Sequence, residues 1–129
     1  MNLLLDTCAI LYLSMGDACV KSTTHALLGD AEYVFVSPIS SAELACLQER
    51  GRIKLPQHWK PWLRKAVHQN GWEIKPISLE IIEEAYSLPG KFHADPADRI
   101  LTATARQEKL LLLTTDRKIL EYPHVHSDW

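Results

Sequence analysis

Acidic residues recur in this sequence where an apolar run gives way to a helical pattern. Asp6 directly follows the run "NLLL", and Asp116 follows "LLLLTT" in the same way. Glu43 and Asp98 each lie in the first turn of a predicted helix. The carboxyl ends of parallel strands share one edge of a sheet, and ligands collect there. If the strands are parallel, the four acids therefore converge in space despite their separation in sequence.

Helix capping explains each of these positions when it is taken singly. Asp6 and Asp116 are suitable N-caps for the helices that follow them. The segment Ser40–Glu43 has the S-x-x-E pattern of a capping box. Asp95 is suited to cap the helix that contains Asp98. At the third position of that helix, the carboxylate of Asp98 interacts favourably with the helix dipole. For Asp95 the sequence leaves open whether the side chain is a ligand or only a cap.

The four acids taken together favour a metal site over four separate caps. Two like charges 4 Å apart cost roughly 1 to 4 kcal/mol between the dielectric of water and that of a protein surface. A hard divalent cation removes this repulsion and prefers carboxylate ligands. His93, near Asp95, is the sole histidine or cysteine at ligand spacing from the motif that contains Asp98. The shortage of soft ligands points to Mg²⁺ or Mn²⁺ rather than zinc.

The elements that must position these acids follow from hydrophobic periodicity. Apolar and β-branched runs predict strands, and amphipathic spacing with capping signals predicts helices between them. This alternation is typical of an α/β sandwich around a parallel sheet. Strands are predicted at 2–5, 33–36, 72–77 and 110–115, with an edge strand in 124–129, and helices within 7–13, 21–31, 37–51, 55–71, 78–88, 95–109 and 116–122.

Composition limits the remaining function classes. The 129 residues fit one domain, and a net charge of −2 argues against a large basic nucleic-acid footprint, although bound cations would change that balance. We find no apolar run long enough for a membrane span and no secretory h-region. Cys8, Cys19 and Cys46 form no CxxC pair and predict reduced, packed thiols in a cytoplasmic protein.

Mg²⁺ is commonly shared between protein carboxylates and substrate phosphates, so the acidic cluster suggests phosphodiester chemistry. The segments "NLLLDT", "SSAEL", "DPADRILTATA" and "LLLTTD" occur in the order and approximate spacing of the PIN-domain ribonucleases. The resemblance is strongest to the VapC toxins of bacterial toxin–antitoxin pairs, and it extends over essentially the whole chain.

This resemblance implies a single PIN-like nuclease domain over residues 1–129, folded as a three-layer α/β/α sandwich with a central, mainly parallel sheet. It implies a magnesium-dependent endoribonuclease, with Mn²⁺ as a substitute, that forms a homodimer and is neutralised by a cognate antitoxin. Carried over by position, Asp6, Glu43, Asp98 and Asp116 become the catalytic and metal-binding acids. Thr7 and Thr114 match small hydroxyl residues beside the first and fourth acids.

Two other functions remain as alternatives. A PIN-fold module could bind RNA or protein without cleaving it. A receiver-like or phosphatase domain built on Asp6 is disfavoured, because Asp6-Thr7-Cys8 lacks the second aspartate of a D-x-D loop. The basic segment between Arg50 and Lys65 could contact RNA, but a solvated helix face is favoured because no aromatic residues interleave with the charges.

Overall fold

The sheet that positions the acids is fully parallel. A computed structural model describes residues 1–16, 18 and 20–129. Within these residues the sheet order is β3-β2-β1-β4-β5, and each neighbouring pair is parallel. The strands are β1 (Leu3–Leu5), β2 (Val34–Val36), β3 (Glu73–Ile74), β4 (Leu111–Leu113) and β5 (Ser127–Asp128).

Helices connect successive strands and cover both faces of the sheet. They are α1 (Thr7–Ser14), α2 (Ser22–Asp30), α3 (Ile39–Glu49), α4 (Trp59–Asn70), α5 (Leu79–Ala85), α6 (Pro96–Glu108) and α7 (Arg117–Leu120). The predicted α/β sandwich with a central parallel sheet is confirmed. Element ends differ by a few residues from the sequence prediction, mainly because the strands are two or three residues long.

Successive side chains of β1 pack into two separate core clusters, one on each face of the sheet. Leu3 and Leu5 lie in one buried cluster with residues of α1, α3 and α4. Leu4, between them, lies in a second cluster with Leu101 of α6 and Ile119 of α7. Successive side chains of a strand point to opposite faces, so the continuous apolar run "LLL" supplies both layers. Helix α5 then packs on α6.

The strand order reverses at β1, which lies between β2 and β4. Leu5 is in register with Leu113 on one side and with Val36 on the other. The residues after these strands, Asp6 and Thr114, therefore emerge side by side at the carboxyl edge. A reversal of strand order opens a crevice at this edge, where ligands of α/β proteins bind.

Candidate metal centre

Asp6 is a buried carboxylate at the centre of this crevice. Its side chain is 5% exposed and accepts a hydrogen bond of 2.7 Å from the backbone N–H of Ala9, which caps α1. The hydroxyl of Thr114 donates to its other oxygen. The pKa of Asp6 is raised to about 6, mainly by burial and in smaller part by the charges of Asp98 and Asp116, against the lowering effect of the hydrogen bonds from Thr114 and Ala9. Asp6 is thus a cap and also part of a shared acidic site.

Thr114 links the first and fourth acids. Its side chain is fully buried, and its oxygen accepts a 3.0 Å hydrogen bond from the backbone N–H of Asp116. The carboxylate of Asp116 caps the short helix α7 by accepting from the backbone N–H of Lys118 at 2.8 Å. One Asp116 oxygen is used in this way, and the carboxylate is half-buried at the crevice.

Glu43 reaches the site from the second turn of α3, and the predicted capping box is wrong. The helix begins at Ile39, whose backbone N–H donates to the side chain of Ser37 at 3.2 Å. Pro38, with φ −55°, already has helical geometry, so the helix starts before Ser40 can cap it. Glu43 consequently contacts no helix amide through its side chain within the described residues and instead accepts from the hydroxyl of Thr7.

Burial shapes the electrostatics around Glu43 as well. Thr7 is 5% exposed, and its hydroxyl oxygen lies 3.0 Å from that of the fully buried Ser40. Burial raises the pKa of Glu43, and the negative charges of Asp98, Asp95 and Asp6 act in the same direction. Two buried threonine hydroxyls, one beneath each acid, therefore hold Asp6 and Glu43 in fixed orientations.

Asp98 faces the same crevice from the first turn of α6. Asp95 caps this helix by accepting from the Asp98 backbone N–H at 3.1 Å. The pKa of Asp98 is raised by burial, and nearby Asp95 and Asp116 raise it further, while His93 lowers it. The Nε2 atom of His93 lies 2.6 Å from Asp98 Oδ2. His93, Asp98 and Asp116 each offer a ligand atom within 4.8 Å of the other two.

The donor set fits a divalent cation. Asp98 lies close enough to Asp6, Glu43 and Asp116 for their charges to interact, and burial raises the pKa of Asp6, Glu43 and Asp98. Burying several carboxylates in one crevice is costly unless their charge is compensated. Oxygen ligands at half-buried positions are those that Mg²⁺ and Mn²⁺ prefer. The arrangement could therefore hold a cation next to a substrate phosphate.

Sequence reasoning missed two residues near Asp98. His93 was noticed only as a neighbour of Asp95 in sequence, whereas its ring contacts Asp98. Arg99 was not singled out, yet its guanidinium donates to the carbonyls of Ala85 at 3.0 Å and Phe92 at 2.9 Å. Its position directly after Asp98 in "DPADR" was the available signal. Arg99 fastens the loop that carries His93 onto α6.

Two further predictions require correction. Cys8 and Cys46 are free thiols, as predicted, but both are exposed residues and neither belongs to the buried core clusters. Partial burial of the Cys8 sulfur, together with the charges of the nearby acids, raises the pKa of Cys8 to about 11. Cys19 lies outside the described residues.

Aromatic and basic side chains do alternate in part of the basic segment, contrary to prediction. Lys60 and Arg64 line a cavity of about 570 Å³ with Trp59 and Trp72, and the Lys60 ammonium lies 5.9 Å from the Trp59 ring centroid. The segment "WKPWLRK" at 59–65 already places Trp59 and Trp62 among Lys60, Arg64 and Lys65, so this signal was present in the sequence. Ser41 of α3 lines the same cavity, two residues before Glu43.

The PIN domain family model matches residues 3–125. The chain belongs to the PIN-domain family. This PIN domain is 32% identical to Ribonuclease VapC22 of Mycobacterium tuberculosis over 124 residues, which cover 95% of this chain and 93% of the relative. The resemblance inferred from the sequence motifs is therefore confirmed.

Solved structures share the fold of this PIN domain. VapBC2 from Rickettsia felis, bound to a promoter DNA fragment, gives a TM-score of 0.72 at 18% identity, covering 99% of this chain and 98% of that one. DNA-bound VapBC from Salmonella typhimurium gives 0.73 at 12% identity, covering 99% and 97%. Among the residues described for this PIN domain, no helix is both long and apolar enough to cross a bilayer.

Proposed function

We propose that residues 1–129 act as a single-domain, metal-dependent endoribonuclease toxin that cleaves RNA phosphodiester bonds. The observation that carries the proposal is the crevice at the carboxyl edge of β1 and β4, where Asp6, Glu43, Asp98 and Asp116 share one electrostatic environment. The similarity to a protein named a ribonuclease supports RNA as the substrate class. Mg²⁺ is the proposed ion, with Mn²⁺ able to replace it.

In this proposal each side chain of the site binds the metal, orients a metal ligand or caps a helix. Asp6, Glu43, Asp98 and Asp116 are the catalytic and metal-binding acids. When bound, the divalent cation supplies charge neutralisation at the phosphate and a strong nucleophile at neutral pH. Asp6 and Glu43 are oriented by the hydroxyls of Thr114 and Thr7, so little reorganisation is needed during the reaction. We assign Asp95 to capping, since its carboxylate is already used by the Asp98 amide.

The proposal also includes protein partners. One solved structure that shares this fold is a toxin–antitoxin complex, which supports a cognate antitoxin that neutralises the enzyme. A homodimer is proposed from the family resemblance, with Ile74 of β3 and Leu79 and Tyr86 at the two ends of α5 as exposed apolar side chains that could contact the partner, being 49%, 70% and 59% exposed. Two exposed free thiols favour a reducing compartment, so we propose a cytoplasmic location.

RNA sequencing provides the direct test. RNA 5′ ends are mapped after brief expression of the wild type, Asp98→Asn, and the matched control Asp30→Asn, whose side chain is exposed at the end of α2. New, discrete ends are expected with the wild type and the control but not with Asp98→Asn. Purified protein must also cleave those RNAs when Mg²⁺ or Mn²⁺ is added.

Equal cleavage by Asp98→Asn would contradict the proposed site. RNA binding without any cleavage by pure wild-type protein, with either ion present, would contradict the nuclease and favour a binding module. Circular dichroism of each variant distinguishes a lost activity from a lost fold.

A further inference from the structure

An imidazole lies within the acidic crevice. His93 Nε2 is 2.6 Å from Asp98 Oδ2, and the ligand atoms of His93, Asp98 and Asp116 lie within 4.8 Å of one another. An octahedral ion with bonds of about 2.1 Å holds its ligand atoms about 3 to 4.2 Å apart. Small side-chain movements would therefore allow these three residues to bind one ion.

The fold holds the His93 ring in this place. The loop before α6 is fixed by Arg99, which donates to the Phe92 carbonyl at 2.9 Å. The Phe92 ring packs against Tyr122 with a centroid distance of 4.9 Å, and the His93 ring stacks on Phe92 at 4.4 Å. The His93 side chain is only 20% exposed.

Asp6 and Glu43 form the other part of the proposed metal site. Asp6 and Glu43 accept hydrogen bonds from Thr114 and Thr7, and the three-residue group of His93, Asp98 and Asp116 does not include them. The crevice thus has an all-oxygen side beneath β1 and α3 and a side with one nitrogen donor before α6. A nitrogen donor favours a divalent transition-metal ion, such as Mn²⁺, over the harder Mg²⁺.

We propose that His93 is a direct metal ligand alongside Asp98 and Asp116, and that it makes the site prefer Mn²⁺ to Mg²⁺. This inference rests on the proposed metal-dependent function but adds a ligand from outside the four acids. The competing role for His93 is indirect, in which its ring only orients Asp98 by a hydrogen bond. The two roles differ in whether nitrogen touches the ion and in whether Mn²⁺ is affected more than Mg²⁺.

The test measures metal binding rather than activity. Metal-free wild type, His93→Ala and the control His126→Ala, which removes an exposed histidine directly before β5, are titrated with Mn²⁺ and followed by electron paramagnetic resonance. Mg²⁺ affinity is obtained by competition. We expect His93→Ala to weaken Mn²⁺ binding at least tenfold and Mg²⁺ binding less than threefold, whereas His126→Ala changes neither.

Pulsed electron paramagnetic resonance of the Mn²⁺ complex tests the bond itself. Wild type and His126→Ala should show modulation from a coordinated ¹⁴N, which should change to the ¹⁵N pattern when the protein is made with ¹⁵N-histidine. This measurement needs no substitution, so it decides the question even if His93→Ala fails to fold. Absence of histidine nitrogen modulation, or equal weakening of Mn²⁺ and Mg²⁺, overturns the inference.

The metal-binding test of His93 and the RNA-cleavage test of the proposed function can fail independently of each other. RNA cleavage without histidine nitrogen at the ion would leave the nuclease standing and remove His93 as a ligand. Histidine nitrogen at the ion without RNA cleavage would keep His93 as a ligand and refute the proposed nuclease.

Discussion

The hydroxyl of Thr114 donates a hydrogen bond to the carboxylate of Asp6 across 108 positions of sequence. The same hydroxyl oxygen accepts from the backbone N–H of Asp116 at 3.0 Å. Because β1 and β4 are paired in register, the residues that follow them meet without any loop to adjust their positions. One buried threonine therefore fixes the geometry between two of the proposed metal ligands.

Thr114→Val should weaken the site more than it disturbs the fold. The change removes the donor to Asp6 and leaves the Asp116 amide without its acceptor, at a cost of about 1 to 3 kcal/mol in the free energy of unfolding. Loss of an orienting partner typically lowers metal affinity 10- to 100-fold. Urea unfolding and Mn²⁺ titration measure the two effects.

Thr102→Val is the matched control for this experiment. Thr102 is also fully buried, but its hydroxyl has no hydrogen-bond partner in the part of the chain that the structure describes. Its replacement should leave Mn²⁺ affinity unchanged and be neutral or stabilising. Equal effects of the two substitutions on Mn²⁺ binding would contradict the orienting role of Thr114.

The stability of the metal-free protein should fall as the pH rises from about 4 to above 6. In the unfolded chain Asp6 loses its proton near its ordinary pKa of 3.8, whereas in the folded protein it retains the proton until about 6. The folded state therefore binds more protons in this window, and the loss is about 3 kcal/mol at full deprotonation. The melting temperature of the metal-free wild type, measured as a function of pH, tests this loss of stability.

Asp6→Asn should flatten this pH dependence and stabilise the metal-free protein above pH 6. The amide oxygen can still cap α1, so the substitution removes mainly the buried charge. Asp30→Asn, at an exposed position, should retain the wild-type pH profile. Added Mn²⁺ should raise the melting temperature of the wild type but not of Asp6→Asn. A wild-type stability that rises through this pH window would refute the explanation.

Arg99→Lys should destabilise the fold by about 1.5 to 3 kcal/mol, since a lysine cannot donate to the carbonyls of Ala85 and Phe92 together. Hydrogen exchange should increase in residues 86–95. Arg117→Lys is the control, because its guanidinium forms an exposed pair with Glu121 worth little. Unchanged exchange in the loop would contradict the anchoring role of Arg99.

Arg64→Gln should weaken RNA binding in a salt-dependent manner, if RNA extends from the crevice into the cavity beside α4. Removing one phosphate contact lowers the slope of log affinity against log salt by about 0.7 to 0.9. The measurement uses a labelled oligoribonucleotide of mixed sequence and the Asp98→Asn background. Lys109→Gln removes one charge at the far end of α6 and should leave the slope unchanged. The same slope for both variants would exclude this cavity as an RNA contact.

The sequence alone predicted the parts of the site that lie directly after the ends of strands. Apolar runs before Asp6 and Asp116 predicted buried parallel strands, and a parallel sheet necessarily collects the residues after them at one edge. Asp95 and Asp98 were placed correctly because an N-cap and a third helical position depend on local geometry.

Other features were not predicted from residue types. Helix α3 begins at Ile39, directly after Ser37 and Pro38, so Ser40 lies inside the helix and does not cap it. The contact between His93 and Asp98 depends on a loop held by Arg99 from the following helix. The cavity containing Trp59 and Arg64 exists only after α3 and α4 pack together.

The strand order determines when, during synthesis, the two central strands can pair. β1 is synthesised first, but its neighbour β4 and the threonine that holds Asp6 come more than a hundred residues later. A nascent chain on the ribosome therefore carries Asp6 and Glu43 long before Asp98, Thr114 and Asp116 are made. The proposed metal site can form only after β4 has been synthesised and has paired with β1.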